Sequence, residues 1–286
     1  MNCTSVFETG FINYGNLTPN NFEPNKSNVN LLNSNVLKEP KAGNSNTANP
    51  IKIPISFNWI EHGAVTPAKD QRKCNACWAF TVIASIESHL LIHRNQKEIL
   101  SEQFLLDCLT RRKGCDSDSI QKTYADIVTD YGGVIRESDY YPYTAKREEC
   151  RWPKYSNNTE PSGRVPPGVI PVVGFRKVRQ NEDEMAKHLY GDGPLAAAIN
   201  SASMKHYRGN YIDEPTEAEC DPKHLDHTVL IVGYNAYVDT KTGHEIQYWI
   251  IKNSWGESFG YNGYYNLVRG RNACGITSDV SFPVVN

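Results

Sequence analysis

Residues Gln71 to His93 read QRKCNACWAFTVIASIESHLLIH, a stretch that joins a helix pattern to a reactive side chain at its start. From Trp78 onward the apolar residues fall at Ala79, Val82, Ile83, Ile86, Leu90 and Leu91, the three-and-four spacing of a helix with one buried face. Cys77 stands just before that run. At a helix N-terminus the unpaired N–H groups and the macrodipole favour an anion, and so favour thiolate over thiol. A nucleophilic cysteine needs that environment.

Such a nucleophile also needs a base, and the base a group that orients it. Leu225 to Tyr234, LDHTVLIVGY, puts His227 at the mouth of a β-branched apolar run that reads as a buried strand. Tyr248 to Gly256, YWIIKNSWG, puts Asn253 at the end of another. A side-chain amide there can hold an imidazole in one tautomer by accepting its N–H. The spacings are 227 − 77 = 150 and 253 − 227 = 26 residues. Two other readings of Cys74-x-x-Cys77 compete. A zinc site wants a second Cys or His pair at ligand spacing, and Cys108 and Cys115 do not form a second CxxC. A thioredoxin-like redox pair wants an early βαβ unit, which a helical first half does not offer.

QRKCNACWAF, SEQFLLDC (Ser101–Cys108), DHTVLIVGY (Asp226–Tyr234), IKNSWG (Ile251–Gly256) and the ending FPVVN (Phe282–Asn286) form an ordered series of separated motifs. In that order they resemble the papain family of cysteine proteases, in its cathepsin L-like branch, from about residue 53 to residue 286. The resemblance implies an α+β, papain-like two-lobed fold, with a helical half, a β-barrel-like half and the active-site cleft between them. It implies a cysteine-type endopeptidase in which Cys77 and His227 form a thiolate–imidazolium pair, Asn253 orients His227 and Trp255 shields that hydrogen bond. Gln71, six residues before the nucleophile, would join the Cys77 backbone N–H in holding the oxyanion. The implied disulfides are Cys74–Cys115, Cys108–Cys150 and Cys220–Cys274. No metal or cofactor is expected.

Counting back from Pro283 and forward from Cys274 puts Asp279 at the floor of the pocket that receives the residue second before the scissile bond. Ile120, Ala198, Leu225 and Thr228 would surround it; Asp118, Ser119, Asp226, Trp255 and Phe259 complete the expected substrate-binding set. A carboxylate ending an otherwise apolar slot pairs with Arg or Lys, so acceptance of Arg beside Leu or Phe is expected. Some departures add bulk where a peptide should lie flat. Arg72 and Asn75 stand where the family has glycines, and Asp116-Ser117-Asp118 replaces a segment ending in glycines. Asp118-Ser119-Ile120 is also similar to some mite digestive cysteine proteases. The rival expectation is a catalytically weak papain-fold protein that binds peptides.

Net charge −2 with 22% charged residues leaves no basic stripe, so nucleic acid is not an expected partner. No apolar run reaches the length of about 18 residues that a membrane span needs. Expected partners are peptide or protein substrates, the chain's own prosegment and cystatin-like inhibitors, with the protein a monomer. MNCTSVFETGFINYGN carries neither the basic start nor the apolar core of a secretory signal, yet a six-cysteine frame belongs to an oxidising compartment. The conflict resolves if the true N-terminus is missing, and sequons at Asn2, Asn16, Asn25 and Asn157 fit a secreted or lysosomal route.

Residues 1–50 hold 13 asparagines and few clustered apolar residues, too few to bury a core alone. Gly10 to Phe22, GFINYGNLTPNNF, is similar to the end of an inhibitory prosegment, so 1–50 is expected to be a prosegment remnant. Residues 51–165 read as a mainly helical half and 166–286 as a mainly β half. Ser101 offers an N-cap, and Ile120 to Val128 repeats at helical spacing until Tyr131-Gly132-Gly133 stops it. Pro194–Ile199, Thr228–Tyr234, Gln247–Lys252 and Gly263–Arg269 read as strands.

Overall fold

The helix expected near Trp78 begins at Cys77: α1 spans Cys77–Arg94 in a computed structural model that describes residues 53–109, 114–116, 118–152, 167–240 and 242–285. The expected prosegment remnant with Cys3, all four sequons and Ser117 lie outside the described residues. Asn95 closes α1 in the left-handed conformation, its N–H bonding Leu91 O while Gln96 N–H bonds Leu90 O. His93 and Arg94 occupy the last turn, at the negative end of the dipole.

One expectation for α1 fails. Every residue from Cys77 to Leu90 is buried, so the helix is enclosed on all sides rather than along one face. It packs against the short helices α2 (Glu102–Cys108) and α3 (Ile120–Asp126), and also against strands β5 (Leu195–Ile199), β6 (His227–Val238) and β9 (Val280–Val284). Enclosure favours partners for its polar residues, and most find one, Ser88 Oγ being the exception among the described residues. Thr81 Oγ1 lies 3.1 Å from Thr228 Oγ1, and His89 Nε2 lies 3.0 Å from Pro194 O.

Ser101 caps α2, its hydroxyl accepting the Phe104 N–H, and Ser119 caps α3 through the Lys122 N–H. Beyond Asp126 the chain widens into a π-turn, Ile127–Tyr131, and stops at Gly132, whose φ of 69° suits glycine. A short pair, β2 (Gly133–Val134) with β3 (Ile170–Pro171), follows.

The second half is built on an antiparallel sheet of seven strands in the order β4-β9-β5-β6-β7-β8, where β4 is Gly174–Lys177, β7 Glu245–Lys252 and β8 Tyr264–Val268. The remaining strand, β1 (Phe57–Asn58), adds to β6 with Phe57 opposite Tyr234. In register, Ala198 faces Thr228, Ile199 faces His227 and Lys252 faces Tyr264. Helix α4 (Glu182–Gly191), capped by Asn181, covers the sheet with Met185, Ala186 and Leu189; the sequence pattern did not reveal it.

There are two main cores. One joins Trp78, Ile83, Phe104, Tyr124 and Tyr131 in the helical half; the other joins Leu189, Ile231, Trp249, Tyr265 and Phe282 around the sheet. This is the expected α+β two-lobed architecture. The halves exchange their ends, however. Phe57 and Trp59 pack on the sheet core, with Trp59 Nε1 donating to Leu189 O at 2.7 Å, while Phe175 and Val285 pack on the helical core. Among the described residues, no helix is long and apolar enough to cross a membrane.

Candidate active site

Cys77 takes its position from a tightly tied loop. The disulfide Cys74–Cys115, the Asn75 N–H bond to Cys115 O and bonds from Trp78 Nε1 to Gly114 O and Asp116 O fix the chain as it enters α1. Ala76 is the N-cap residue and supplies no side-chain cap, so the first-turn N–H groups and the dipole act at the Cys77 end. Cys77 is buried and forms no disulfide. The other two disulfides are Cys108–Cys150 and Cys220–Cys274.

His227 opens β6 and is buried. Its Nε2 lies 2.8 Å from Asn253 Oδ1. The Ser254 N–H donates to the same Oδ1, which identifies that atom as the amide oxygen. Nε2 is therefore the donor, and in the neutral ring Nδ1 carries the lone pair. Nδ1 is buried and finds no hydrogen-bond partner among the described residues. The Trp255 ring covers this arrangement with its centroid 4.9 Å from that of His227, and Phe259 meets Trp255 edge-on at 5.1 Å.

Gln71 reaches the same place from the other half. Residues 69–71 pair with 254–256 through the Asp70–Trp255 bridge, the Gln71 N–H bond to Ser254 O and the Gly256 N–H bond to Lys69 O. Ser254 Oγ–H donates to Gln71 Oε1 at 2.6 Å, and Gln71 Nε2 donates to Cys74 O at 2.8 Å. The Cys74 carbonyl can only accept, so it fixes which end of the Gln71 amide is the NH2, and the second N–H is left for another acceptor. Ser254 was not singled out from the sequence; its place between Asn253 and Trp255 was the available signal.

The expected specificity residues divide. Asp279 is half-buried beside Ala198, whose N–H its backbone carbonyl accepts at 2.9 Å, and its Oδ1 takes a bond from Gln121 Nε2. The carboxylate thus has a neutral partner that sequence reasoning missed, although Gln121 directly follows Ile120. Thr228 is buried and turned to Thr81; Leu225 is half-buried beside Gly275. Ile120, the first residue of α3, is buried in the helical core. The Asp226 carboxylate accepts both the N–H and the Oγ–H of Ser201, and Asp118 Oδ1 accepts the Ser119 N–H. The Asp226 side chain therefore ties the start of β6 to the segment after β5, and those of Asp118 and Ser119 brace the turn into α3. Among the described residues, no group of three or more His, Cys, Asp or Glu is set to hold a metal ion.

Fold and site together define a class: two-lobed α+β proteins that assemble a cysteine, a histidine and an asparagine from opposite halves. The chain belongs to the papain family of cysteine proteases, whose model, described as papain family cysteine protease, matches residues 53–284. Cathepsin F of Drosophila melanogaster is 36% identical over 227 residues, covering 79% of this chain and 35% of that one. A digestive procathepsin L 3 from Tenebrio molitor larval midgut superposes with a TM-score of 0.69 at 30% identity, over 84% of this chain and 72% of that one. The bromelain protease of Ananas comosus, solved in complex with the E64 inhibitor, gives 0.67 at 31% identity, over 82% of this chain and 100% of that one. The chain spans 35% to 66% of the length of the first curated relatives it matches.

Proposed function

We propose that the chain is a cysteine endopeptidase with Cys77 as nucleophile, His227 as acid and base, Asn253 as the group orienting His227, and Gln71 with the Cys77 N–H as oxyanion donors. The observation that carries this reading is the His227 Nε2–Asn253 Oδ1 bond, which leaves the lone pair on a buried Nδ1, while Thr228 next to His227 meets Thr81 in the turn of α1 that follows Cys77. The Cys77 thiolate attacks a peptide carbonyl to form a C–S bond. As the C–N bond breaks, the leaving amine takes the proton of imidazolium His227. Water then displaces Cys77 from the acyl group, passing its proton to His227. Gln71, held by Ser254 and Cys74, keeps one N–H for the developing oxyanion. Trp255 and Phe259 form the wall on the leaving-group side.

In this reading residues 1–50 are a prosegment remnant, 51–165 and 166–286 are the two halves apart from their exchanged ends, and the protein works as a secreted or lysosomal monomer on peptides or proteins. Cystatin-like inhibitors fit the same cleft. The half-buried Asp279, beside Ala198, supports acceptance of Arg as well as Leu or Phe two residues before the scissile bond. A peptide-binding protein of low turnover is the second reading, favoured by exposed Arg72, held at φ 54° directly after Gln71.

The experiment is turnover of dipeptide amides bearing Arg or Phe at that position, by wild type, Cys77→Ala and Asp279→Ala. Activity that vanishes in Cys77→Ala, with an Arg-to-Phe ratio that falls in Asp279→Ala, is expected. An unchanged ratio removes Asp279 from specificity, and activity surviving in Cys77→Ala removes the protease reading.

A further inference from the structure

Asn253 and Ser254 line a small cavity, with about 20 Å³ of room for the centres of water molecules, that neither Cys77 nor His227 lines. Lys69, Glu87, Glu102 and Lys252 face it, drawn from the loop before α1, from α1, from α2 and from the end of β7. Four ionisable side chains around one internal space are costly unless each is paired or solvated. Part of the pairing is direct. Lys69 Nζ lies 2.7 Å from Glu102 Oε1 and 3.2 Å from Glu87 Oε1, and the Leu100 N–H also donates to Glu87.

The rest forms a chain with a fixed direction. Lys252 Nζ donates to Thr66 Oγ1 at 3.0 Å, and Thr66 Oγ1–H donates to Glu87 Oε2 at 2.6 Å. An ammonium has three N–H donors, so two of those on Lys252 need acceptors beyond Thr66. Asn253 adds a further demand. It is 3% exposed, it lines the cavity, and its Nδ2 finds no acceptor among the described residues although Oδ1 is fully used by His227 and Ser254. The space has room for about one water among Phe80, Ala84 and Leu230, and the unmet donors on its wall give that water the polar partners it needs.

We infer that water in this cavity bridges Asn253 Nδ2 and Lys252 Nζ to the glutamates, and that the Lys252–Thr66–Glu87 chain thereby holds the Asn253 amide on which His227 is oriented. Thr66, Glu87 and Lys252 are positioning residues for the cysteine–histidine pair, acting through the asparagine. The inference rests on the proposed catalytic roles of His227 and Asn253. Burial pushes Glu102 up, against Lys69 and helped by Glu87, and Lys252 down to about 8, opposed by Glu87 and Glu102 and helped by Lys69.

The test compares Thr66→Val, which removes the relay hydroxyl at nearly constant volume, with Thr66→Ser, which keeps it. Expected in Thr66→Val is an alkaline limb of kcat/KM lowered by about one unit, a reduced kcat and a nearly unchanged KM, as when a charged form loses a hydrogen-bond partner. Thr66→Ser restores the limb. A merely structural threonine would lower Tm in Thr66→Val and leave both limbs in place, and that result overturns the inference. Should Thr66→Val not fold, a wild-type crystal structure decides: water within hydrogen-bond distance of Asn253 Nδ2 and a glutamate oxygen supports the inference, and an Asn253 Nδ2 packed against carbon overturns it. Turnover that survives in Cys77→Ala would instead overturn the underlying catalytic reading.

Discussion

At the scale of single residues, the site depends on amide groups that cannot turn over. Asn253 and Gln71 each have their oxygen claimed, the one by the Ser254 N–H and His227, the other by the Ser254 hydroxyl. The Ser254 N–H sets the sense of the first amide, the Cys74 carbonyl sets that of the second, and Ser254 touches both. Gln71→Ala is expected to lower kcat about a hundredfold with little change in KM, the usual cost of losing one oxyanion donor. Steady-state kinetics on an amide substrate would measure it, and an unchanged kcat would remove Gln71 from the site. Cys77, His227, Asn253 and Gln71 were legible in the sequence because each sits at the end of a strongly patterned segment or at a short fixed spacing from one. Ser254, Gln121 and Thr66 were not. Their partners lie 183, 158 and 21 residues away, on elements whose approach only folding defines.

Among the elements, legibility followed pattern strength. α1 and the strands β5 to β8 are long or uniformly apolar, and the sequence located them to within a few residues. β6 runs on to Val238, past the expected Tyr234, because Ala236 and Tyr237 stay paired with Gln247 and Ile246 of β7. α4 and β9 were not foreseen, for separate reasons. α4 is ten residues long and buries only Met185, Ala186 and Leu189, too short a stripe to stand out. β9 contains Pro283, a residue that argues against a strand, and is tolerated where it pairs with Phe175 of the edge strand β4. α4 is held at its start by Asn181, whose Oδ1 accepts the N–H groups of Asp183 and Glu184. Asn181→Ala is expected to cost about 1 kcal/mol, the common value for a lost N-cap. Urea unfolding in a Cys77→Ala background, which prevents self-digestion, would measure it. A cost near zero would mean that α4 is set by its packing on the sheet alone.

For the molecule as a whole, the two halves meet along α1, and the joint is sensitive to acid. His89 is wholly buried, and burial lowers it from 6.5 to about 4, the bond to Pro194 O opposing. The unfolded chain therefore takes up this proton first as pH falls. Stability that is complete above about 6.5 is lost progressively down to about 4, by about 3 kcal/mol for this residue. Glu102 acts in the opposite sense over an overlapping range, so the useful quantity is the difference between His89→Gln and wild type. That difference should shift by about 3 kcal/mol in favour of the variant between pH 7 and pH 4 in urea unfolding. A difference that stays constant with pH would contradict the role of His89. The proposed catalytic pair is itself a property of the assembled molecule, since Cys77 comes with α1 and His227 and Asn253 come with the sheet. The measurement that bears on it most directly is the pH dependence of Cys77 alkylation by iodoacetamide, followed by mass spectrometry. A thiolate–imidazolium pair predicts reaction at Cys77 that persists several units below the ordinary thiol value of about 8.5. Reaction that rises only near that value, as for an isolated thiol, would contradict the pair and the peptidase built on it.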